Sequence, residues 1–557
     1  MNSLRLLLVR SFLCLFTLSL VACGGGGSSA PPVISQPPIT SPPPPSVSIS
    51  DQAASKFLFQ TSFGPTQEDI DALSDMGYEA WIDQQMALPM TDHFSYVQAL
   101  PEIRWREHTA AWFDRAVNSD DQLRQRVAFV LSEILVVSLH GVDFPDPEMA
   151  SISLANYYDI LLKHSFGNFR DLLEEVTLNP VMGEYLSMKG NQKAIPEENI
   201  LPDENFAREM MQLFTIGLHE LNPDATSKLD SVGQPIPTYD QETIEEMARV
   251  FTGWHFANIY EIVTGQDDRP DFMNPMIVIE ERHDRGQKTV LGGAIIPAEQ
   301  NADEDMTDML DIVFNHPNVA PFISKQLIQK LVTSNPSDAF VQRVATVFEN
   351  NGNGVRGDLK SVIKALLLDD EAITATTSAD KIYGKLKEPL IRMAGLWRTF
   401  NAYSANGEYR LTYFNEFLGQ SPLEAHHVFN FFSPFYSPQG SFVDNGWVAP
   451  EFEIHTEANQ AKMTNFMQYL VLSQNHLKAN PEANEILIDL STEITLAENV
   501  DTLLDHYNLM LFGGDMSNEL RTITKDFINT FPIDRPDQRA IEALGLLVVA
   551  PEFMVQD

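Results

Sequence analysis

The stretch that decides the fold reads Leu123-Arg124-Gln125-Arg126-Val127-Ala128-Phe129-Val130-Leu131-Ser132-Glu133-Ile134-Leu135-Val136-Val137. Apolar side chains recur every three or four residues, at positions 123, 127, 130, 131, 134 and 137. This spacing is typical of one face of an α-helix, and Arg124, Gln125 and Glu133 fall outside that face. We therefore predict a core helix here, with its polar residues on the opposite side.

The same period recurs along most of the chain. Residues 203–215 follow a capping residue, Asp203, and are closed by Gly217, and residues 240–252 begin in the same way. Further helices are predicted over residues 318–332, 337–349, 357–368 and 499–512. The chain is therefore predicted to be mainly α-helical.

One segment has a different pattern. Residues 276–279 and 289–291 are rich in β-branched side chains and flank a turn at residues 284–286, which predicts a β-hairpin. No Pro-, Gly- or Ser-rich break divides the chain after residue 51. We therefore predict a large single helical domain over residues 51–557, with a small β-hairpin excursion, after a disordered Pro/Gly/Ser-rich tether.

The amino terminus has the features of an exported lipoprotein. Arg5 and Arg10 precede a short apolar stretch, residues 11–22, which fits a secretory signal peptide better than a membrane span. Leu20-Val21-Ala22 then precede Cys23, as in a lipobox, which predicts a signal peptide over residues 1–22 and lipidation of Cys23. An uncleaved anchor helix, or an ordinary signal peptide with a chance cysteine, is the alternative.

Residues 23–50 are predicted to be the lipidated cysteine and a flexible linker. Residues 24–29 are Gly and Ser, and the prolines of residues 31–45 stiffen the chain. Gly rather than Asp at position 24 resembles outer-membrane lipoproteins, so we expect an exported chain anchored in the outer membrane by its lipid. Cys14 leaves with the signal peptide, and acylated Cys23 then leaves no thiol for a disulfide, a zinc site or a catalytic nucleophile.

The charge of the chain is strongly acidic, with 37 basic and 77 acidic residues and a net charge of −40. Such a surface argues against a nucleic-acid partner and against docking on anionic lipid headgroups. The acidic run at residues 301–311 is interpreted as the start of a helix in solvent.

Several blocks of the chain resemble the bacterial family known as domain of unknown function 1800. The strongest reads Glu204-Asn205-Phe206-Ala207-Arg208-Glu209 and continues to Leu213-Phe214-Thr215-Ile216-Gly217. The other blocks are residues 57–66, 81–85, 123–133, 248–254, 283–288, 316–317, 354–359, 429–434 and 551–553. They cover nearly all of residues 53–557, and Met210-Met211 replaces the leucine or valine of the family pattern.

The resemblance implies a helical domain but no agreed activity. Members of the family are often secreted, and they frequently occur beside a second uncharacterised family that resembles sulfatases and alkaline phosphatases. The resemblance therefore implies a possible protein partner of that second kind.

The polar face of the predicted helix at residues 203–215 supplies the first candidate site. Glu204 and Arg208 are four residues apart, as are Asn205 and Glu209, so each pair can touch. In the functional interpretation Glu209 is a metal ligand or general base and Arg208 orients an anion. In the structural interpretation the same side chains form a buried ion-pair network, with Arg249 as a further partner.

The turn at residues 283–288 supplies the second candidate site. The imidazole of His283 beside the carboxyl of Asp284 can bind one divalent metal ion together with Glu204 or Glu209, and Lys288 can bind the substrate. Asp and Gly are, however, also ordinary turn residues.

Two further segments are weaker candidates. His219 follows the first predicted site but lacks the second histidine of a zincin motif. Residues 429–436 are rich in aromatic side chains that can stack on a sugar, although core packing is the favoured interpretation.

Two functions remain open at this stage. The first is a lipid-anchored binding or assembly module for an envelope partner or polymer, favoured by the predicted tether and by the lack of a catalytic signature. The second is a metal-assisted extracytoplasmic hydrolase that uses Glu204, Glu209, His283 and Asp284, with Arg208 or Lys288 on the substrate. The hydrolase requires the two candidate segments to meet in one open cleft.

Overall fold

The computed structural model describes residues 48–374, 383–411 and 417–556. The predicted signal peptide, Cys23 and nearly all of the linker lie outside these residues. The helices before residue 200 are α1 (Asp51–Thr61), α2 (Gln67–Met76), α3 (Tyr78–Ala87), α4 (Phe94–Ala99), α5 (Glu107–Asn118), α6 (Gln122–Ile134), α7 (Pro147–His164), α8 (Phe169–Leu178) and α9 (Pro180–Tyr185).

Helices also dominate the remainder of the described chain. They are α10 (Asn205–Glu209), a π-helical turn (Met210–Thr215), α11 (Gln241–Val250), α12 (Ile259–Thr264), α13 (Ala302–Phe314), α14 (Val319–Leu331), α15 (Asp338–Glu349), α16 (Leu359–Leu367), α17 (Asp370–Thr374), α18 (Pro389–Thr399), α19 (Ser441–Asn445), α20 (Glu457–Ser473), α21 (Ser491–Leu496), α22 (Val500–Phe512), α23 (Asn518–Ile528) and α24 (Pro536–Leu547). The mainly α-helical fold is confirmed.

Several helices begin at the capping residues that the sequence supplies. The side chain of Asp240 accepts from the amide of Thr243 at the start of α11, and Ser337 does the same for α15. Asn499 caps α22 through two backbone amides. Each cap satisfies N–H groups that the first turn of a helix leaves unpaired, which is why these boundaries could be read from the sequence.

The β-structure consists of short antiparallel pairs. The strands are β1 (Trp254–His255), β2 (Ile277–Val278), β3 (Lys288–Thr289), β4 (Ile295–Ile296), β5 (Lys385–Leu386) and β6 (Val555–Gln556). A small β excursion is confirmed, but its predicted pairing is wrong, because β2 pairs with β1 and β3 pairs with β4. Gly292 and Gly293 have φ angles of 68° and 77°, so the chain makes a tight turn directly after β3.

Helix α6 lies in the middle of the packing, against α1, α3, α5, α7 and α14. Gln125 and Glu133 lie off the predicted apolar face, yet both are buried, as is Arg126. Neighbouring helices therefore cover much of this side of the helix as well.

The described residues form one compact unit with a continuous apolar core. That core runs from Ala54 on α1 to Phe553 near the carboxyl end of the chain. Among the described residues no helix combines the length and the apolar character needed to span a bilayer.

Candidate functional site

The segment at residues 204–209 lies against the first turn of α11. Glu204 Oε2 lies 2.6 Å from Arg208 Nη2, one helical turn away. The side-chain amide of Gln241 on α11 donates to both carboxylate oxygens of Glu204 at 3.0 Å. The predicted contact between Glu204 and Arg208 is therefore present, and the hydrogen bonds from Gln241 join this segment to α11.

Glu209 is turned into the protein instead. It is 7% exposed, and its Oε2 atom has no hydrogen-bond partner. Burial raises the pKa of Glu209, and the positive charge of Arg208 opposes that rise. Burial, followed by the charge of Glu209, also raises the pKa of Tyr185 and of Tyr239 to about 12. Glu209 thus lies near two phenols.

The predicted helix changes to a π-helical turn directly after Glu209. The Thr215 hydroxyl donates to the Met210 carbonyl at 2.5 Å, and the Gly217 amide donates to the Met211 carbonyl at 2.9 Å. π-Helical turns are rare and often occur at functional sites. Gly217 has a φ of 73°, and a Cβ there would lie 2.8 Å from the Phe322 ring, so the segment must end in glycine.

An open cleft of about 380 Å³, which we call the π cleft, begins where this turn ends. Its lining is Gln212, Leu213, Ile216, Gly217, Leu218, His219, Leu221, Ala225, Ser227, Phe322, Lys325, Gln326, Gln329 and Phe435. Three elements therefore build it, namely the π-helical turn with the loop that follows, one face of α14, and an aromatic residue from the segment before α19.

The π cleft combines an apolar rim with polar groups inside. Leu218 is 50% exposed and Phe435 is 65% exposed. The amide nitrogen of Gln326 is buried and has no hydrogen-bond partner. Burial lowers the pKa of Lys325, and the more distant charges of Asp338 and Asp224 oppose that effect. A cleft that combines the exposed Phe435 ring with the donor groups of Gln326 and Lys325 has the composition of a ligand-binding site.

Two side chains of the turn at residues 283–288 are buried, whereas residues 285–287 are exposed. His283 and Lys288 are 0% and 1% exposed. His283 Nδ1 lies 2.9 Å from the Thr252 carbonyl and Nε2 lies 3.1 Å from Asp305 Oδ2, while Lys288 Nζ lies 2.5 Å from the same Asp305 oxygen. The interpretation of residues 301–311 as a solvated helix start is therefore wrong for Asp305, which is fully buried.

Asp284 is bound by Arg249 on α11. The guanidinium donates to both carboxylate oxygens, at 2.9 Å and 3.0 Å. Burial acts to raise the pKa of Asp284, but the hydrogen bonds from Arg249 and from the Gly286 amide outweigh it and lower that pKa. Arg249 therefore forms ion pairs with Asp284 and Glu246, and not with Glu209.

Three of the four residues of the predicted metal site are held by separate protein partners, and Glu209 is the exception. Both ring nitrogens of His283, both oxygens of Asp284 and the carboxylate of Glu204 are already hydrogen-bonded within the protein. Across the described ranges, no three His, Cys, Asp or Glu side chains are grouped so that they can hold a metal ion. The donors present therefore do not fit the divalent ion, because protein groups occupy the positions that a metal needs.

A buried acid pair was missed by the sequence reasoning. The side chains of Glu133 on α6 and Glu388, which precedes α18, lie close enough that each shifts the pKa of the other. Lys330 Nζ lies 3.4 Å from Glu133 Oε2, and the Asn430 amide donates to Glu133 Oε1 at 3.3 Å. Burial and the charge of Glu388 raise the pKa of Glu133. Burial also acts to raise the pKa of Glu388, but the charges of Lys385 and Lys330, together with the neighbouring Glu133, outweigh it and lower that pKa.

No local signal could have found that pair. Glu133 has the spacing of a surface residue on an amphipathic helix, and Glu388 lies far away in sequence. Only the apolar character of residues 134–137 directly after Glu133 hints that this helix is enclosed.

The fold and the cleft define a class, namely large mainly α-helical proteins with an open cleft beside a π-helical turn. The chain belongs to the DUF1800 family, described as a protein of unknown function, whose sequence model matches residues 56–555. Comparison with curated proteins and with solved structures gives no match. The family resemblance is thus confirmed over nearly the whole chain.

Proposed function

We propose that this protein is a lipid-anchored envelope protein that acts as a binding or assembly module and holds an envelope polymer in the π cleft. The observation that carries the proposal is the cleft itself, whose lining includes both the exposed Phe435 ring and Gln326, whose amide nitrogen lacks a protein partner. A ligand that packs on this ring and accepts a hydrogen bond from the amide would shield the apolar surface from water and give the donor a partner.

The energetics favour an occupied cleft. A single exposed apolar side chain is normal on a protein surface, but a buried donor without a partner is costly, by about 1–3 kcal/mol. Gln326, whose amide nitrogen is unpartnered, is one of the residues that line this concave, open site. A ligand acceptor, or an ordered water that the ligand replaces, would remove that cost.

The predicted tether fits the same function. Lipid on Cys23 would keep the protein at the envelope, and the Pro-rich linker to residue 50 would let the domain reach a polymer at some distance from the bilayer. The neighbouring family implied by the resemblance would then be a candidate partner on the same polymer.

The alternative, metal-assisted hydrolysis, has less support. It needs Glu204, Glu209, His283 and Asp284 to converge on one ion, and three of these side chains have other partners. We therefore keep the binding module as the proposed function.

Retention on envelope polymers tests the proposal. The full-length protein, in detergent, would be run in affinity gels that contain purified envelope polysaccharide or peptidoglycan, beside Phe435→Ala. We expect the variant to bind about tenfold more weakly, because loss of one stacked ring costs about 1.4 kcal/mol.

The matched control is Tyr260→Ala. Tyr260 lies on α12, is 56% exposed and does not line the π cleft. Its loss should leave retention unchanged. No retention on any polymer, or an equal loss in both variants, would refute the proposed site.

A further inference from the structure

We infer that the ligand of the π cleft is an acidic glycan, and that a sugar carboxylate binds between Lys325 and Gln326. This inference rests on the proposed function, and it goes further by naming the chemical class of the polymer. An accessible space, an ammonium without an ion pair and an unpartnered amide donor coincide in this cleft.

The charge of the residues that line the π cleft favours an anionic ligand. The cleft is lined by Lys325 and His219 and by no Asp or Glu, in a chain whose net charge is −40. The buried lysines Lys288, Lys330 and Lys385 each lie within 4 Å of a carboxylate. Within the described residues Lys325 has no such ion pair, and the charges that act on it are the more distant Asp224 and Asp338. Its ammonium is therefore suited to an anion brought by a ligand.

The side-chain amide of Gln326, the next residue, offers a second donor. Gln326 lines the cleft and is 7% exposed, and its side-chain nitrogen is buried without a protein partner. A carboxylate has two oxygens, so one can accept from the Lys325 ammonium and the other from this amide. Hydrogen bonds to a charged acceptor are about twice as strong as neutral ones, which favours a carboxylate over a hydroxyl at this point.

The other lining residues identify a glycan rather than a peptide or a phospholipid. Gln212 and Ser227 line the same cleft, and their side-chain amide and hydroxyl suit sugar hydroxyls. The Phe435 ring offers a flat apolar surface for the C–H face of a sugar. A phosphate headgroup is usually held by several charge-assisted donors, whereas one ammonium with one amide matches a singly charged carboxylate.

The overall negative charge does not prevent such binding. At physiological ionic strength charges more than about 8 Å apart are largely screened, so the ligand carboxylate responds mainly to Lys325. The remaining repulsion acts on the rate of association rather than on the contacts.

Calorimetric titration with two trisaccharides tests the inference. Trigalacturonate carries three carboxylates, and galactotriose is its neutral counterpart. We expect the wild-type protein to bind trigalacturonate at least about tenfold more tightly, as one charge-assisted contact implies. Lys325→Met, which keeps the length of the side chain, should lower that affinity about tenfold and leave the neutral sugar unchanged.

The control is Lys525→Met, because Lys525 is paired with Asp501 outside the cleft. It should change neither affinity, and thermal unfolding would verify that both variants are folded.

The acidic-glycan inference would be overturned by equal affinities for the two sugars, or by an affinity of Lys325→Met for trigalacturonate that equals that of wild type. Either result would leave the cleft as a binding site. Binding of neither sugar, together with Phe435-dependent retention on another polymer, would overturn the inference alone. Loss of that retention as well would remove the proposed function too.

Discussion

Glu133 and Glu388 bring two carboxyl groups into contact in the interior, where they are 7% and 1% exposed. Two like charges at this distance in a poorly solvated site cannot both be ionised, so the pair holds one proton at neutral pH. Lys330 and Lys385 stabilise the negative charge that remains. The contribution of this carboxyl pair to the free energy of unfolding must therefore depend on pH.

The direction of that dependence follows from the raised pKa of Glu133, which burial and Glu388 bring from 4.5 to about 8. Between these values the folded protein keeps a proton that the unfolded chain loses, so the free energy of unfolding falls as pH rises. Glu133→Gln mimics the protonated form and should remove this loss. We expect the variant to match wild type near pH 5 and to exceed it by on the order of 2–4 kcal/mol near pH 8.

Urea unfolding of both proteins across this pH range would measure the effect. Glu133→Ala is the control, because it leaves Glu388 without its partner and opens a cavity, and it should be less stable at every pH. Parallel pH profiles for wild type and Glu133→Gln would show that no shared proton contributes.

Sequence reasoning at this scale succeeded for local pairs and failed for distant ones. The contact between Glu204 and Arg208 follows from helix geometry alone, and the structure contains it. The partners of His283 and Lys288 could not be read in the same way, because Asp305 reaches them from another helix. Spacing fixes which side chains share a helix face, but not which second element covers that face.

At the scale of single elements, the π-helical turn Met210–Thr215 decides the shape of the cleft. A regular helix was predicted over this stretch, and the apolar period gives no sign of the extra residue in the turn. The turn closes at Gly217, whose φ of 73° and contact with Phe322 allow no side chain. The sequence predicted that Gly217 ends the helix. It did not predict that this glycine approaches Phe322 on α14 closely.

Gly217→Ala should therefore destabilise the protein through two separate effects. A left-handed backbone costs alanine about 1–2 kcal/mol, and the clash with Phe322 adds about 1–3 kcal/mol. Gly233→Ala isolates the first effect, because Gly233 has a φ of 83° and a Cβ added there would meet no atom within 4 Å. Thermal unfolding should place the midpoint of Gly217→Ala below that of Gly233→Ala, and equal midpoints would contradict the packing argument.

The two glycines of the β3–β4 turn explain why the predicted hairpin was paired wrongly. Both strand segments were recognised from their β-branched residues, yet Gly292 and Gly293 make β4 the nearer partner of β3. Strand type is a local property, whereas strand pairing depends on which turn closes first.

At the scale of the whole molecule, contacts between distant parts of the chain hold the described domain together. Helix α1 packs against α22, where the Ser55 hydroxyl donates to the Leu509 carbonyl at 2.7 Å. Strand β6 pairs with β5 and carries Gln556, whose amide donates to the Leu331 carbonyl at 2.7 Å. The helical class was predictable from the period of the sequence, but these long-range contacts have no local signal.

Membrane attachment is predicted to depend on the lipid at Cys23. The net charge of the whole chain, −40, repels anionic headgroups. Acyl chains contribute about 0.8 kcal/mol per buried CH₂ group, so two or more chains anchor a protein stably.

Cys23→Ser should consequently move the whole protein from the membrane fraction to the soluble fraction and abolish labelling with palmitate. Cys14→Ser is the matched control, because Cys14 lies in the predicted signal peptide and would be removed before the mature protein is anchored. Fractionation of cells expressing each full-length variant, followed by immunoblotting, measures the distribution. A Cys23→Ser protein that stays with the membrane would contradict the lipid on Cys23 as its anchor and would leave an uncleaved signal helix or direct binding by the domain. Release of Cys14→Ser as well would show that the effect is not specific to Cys23.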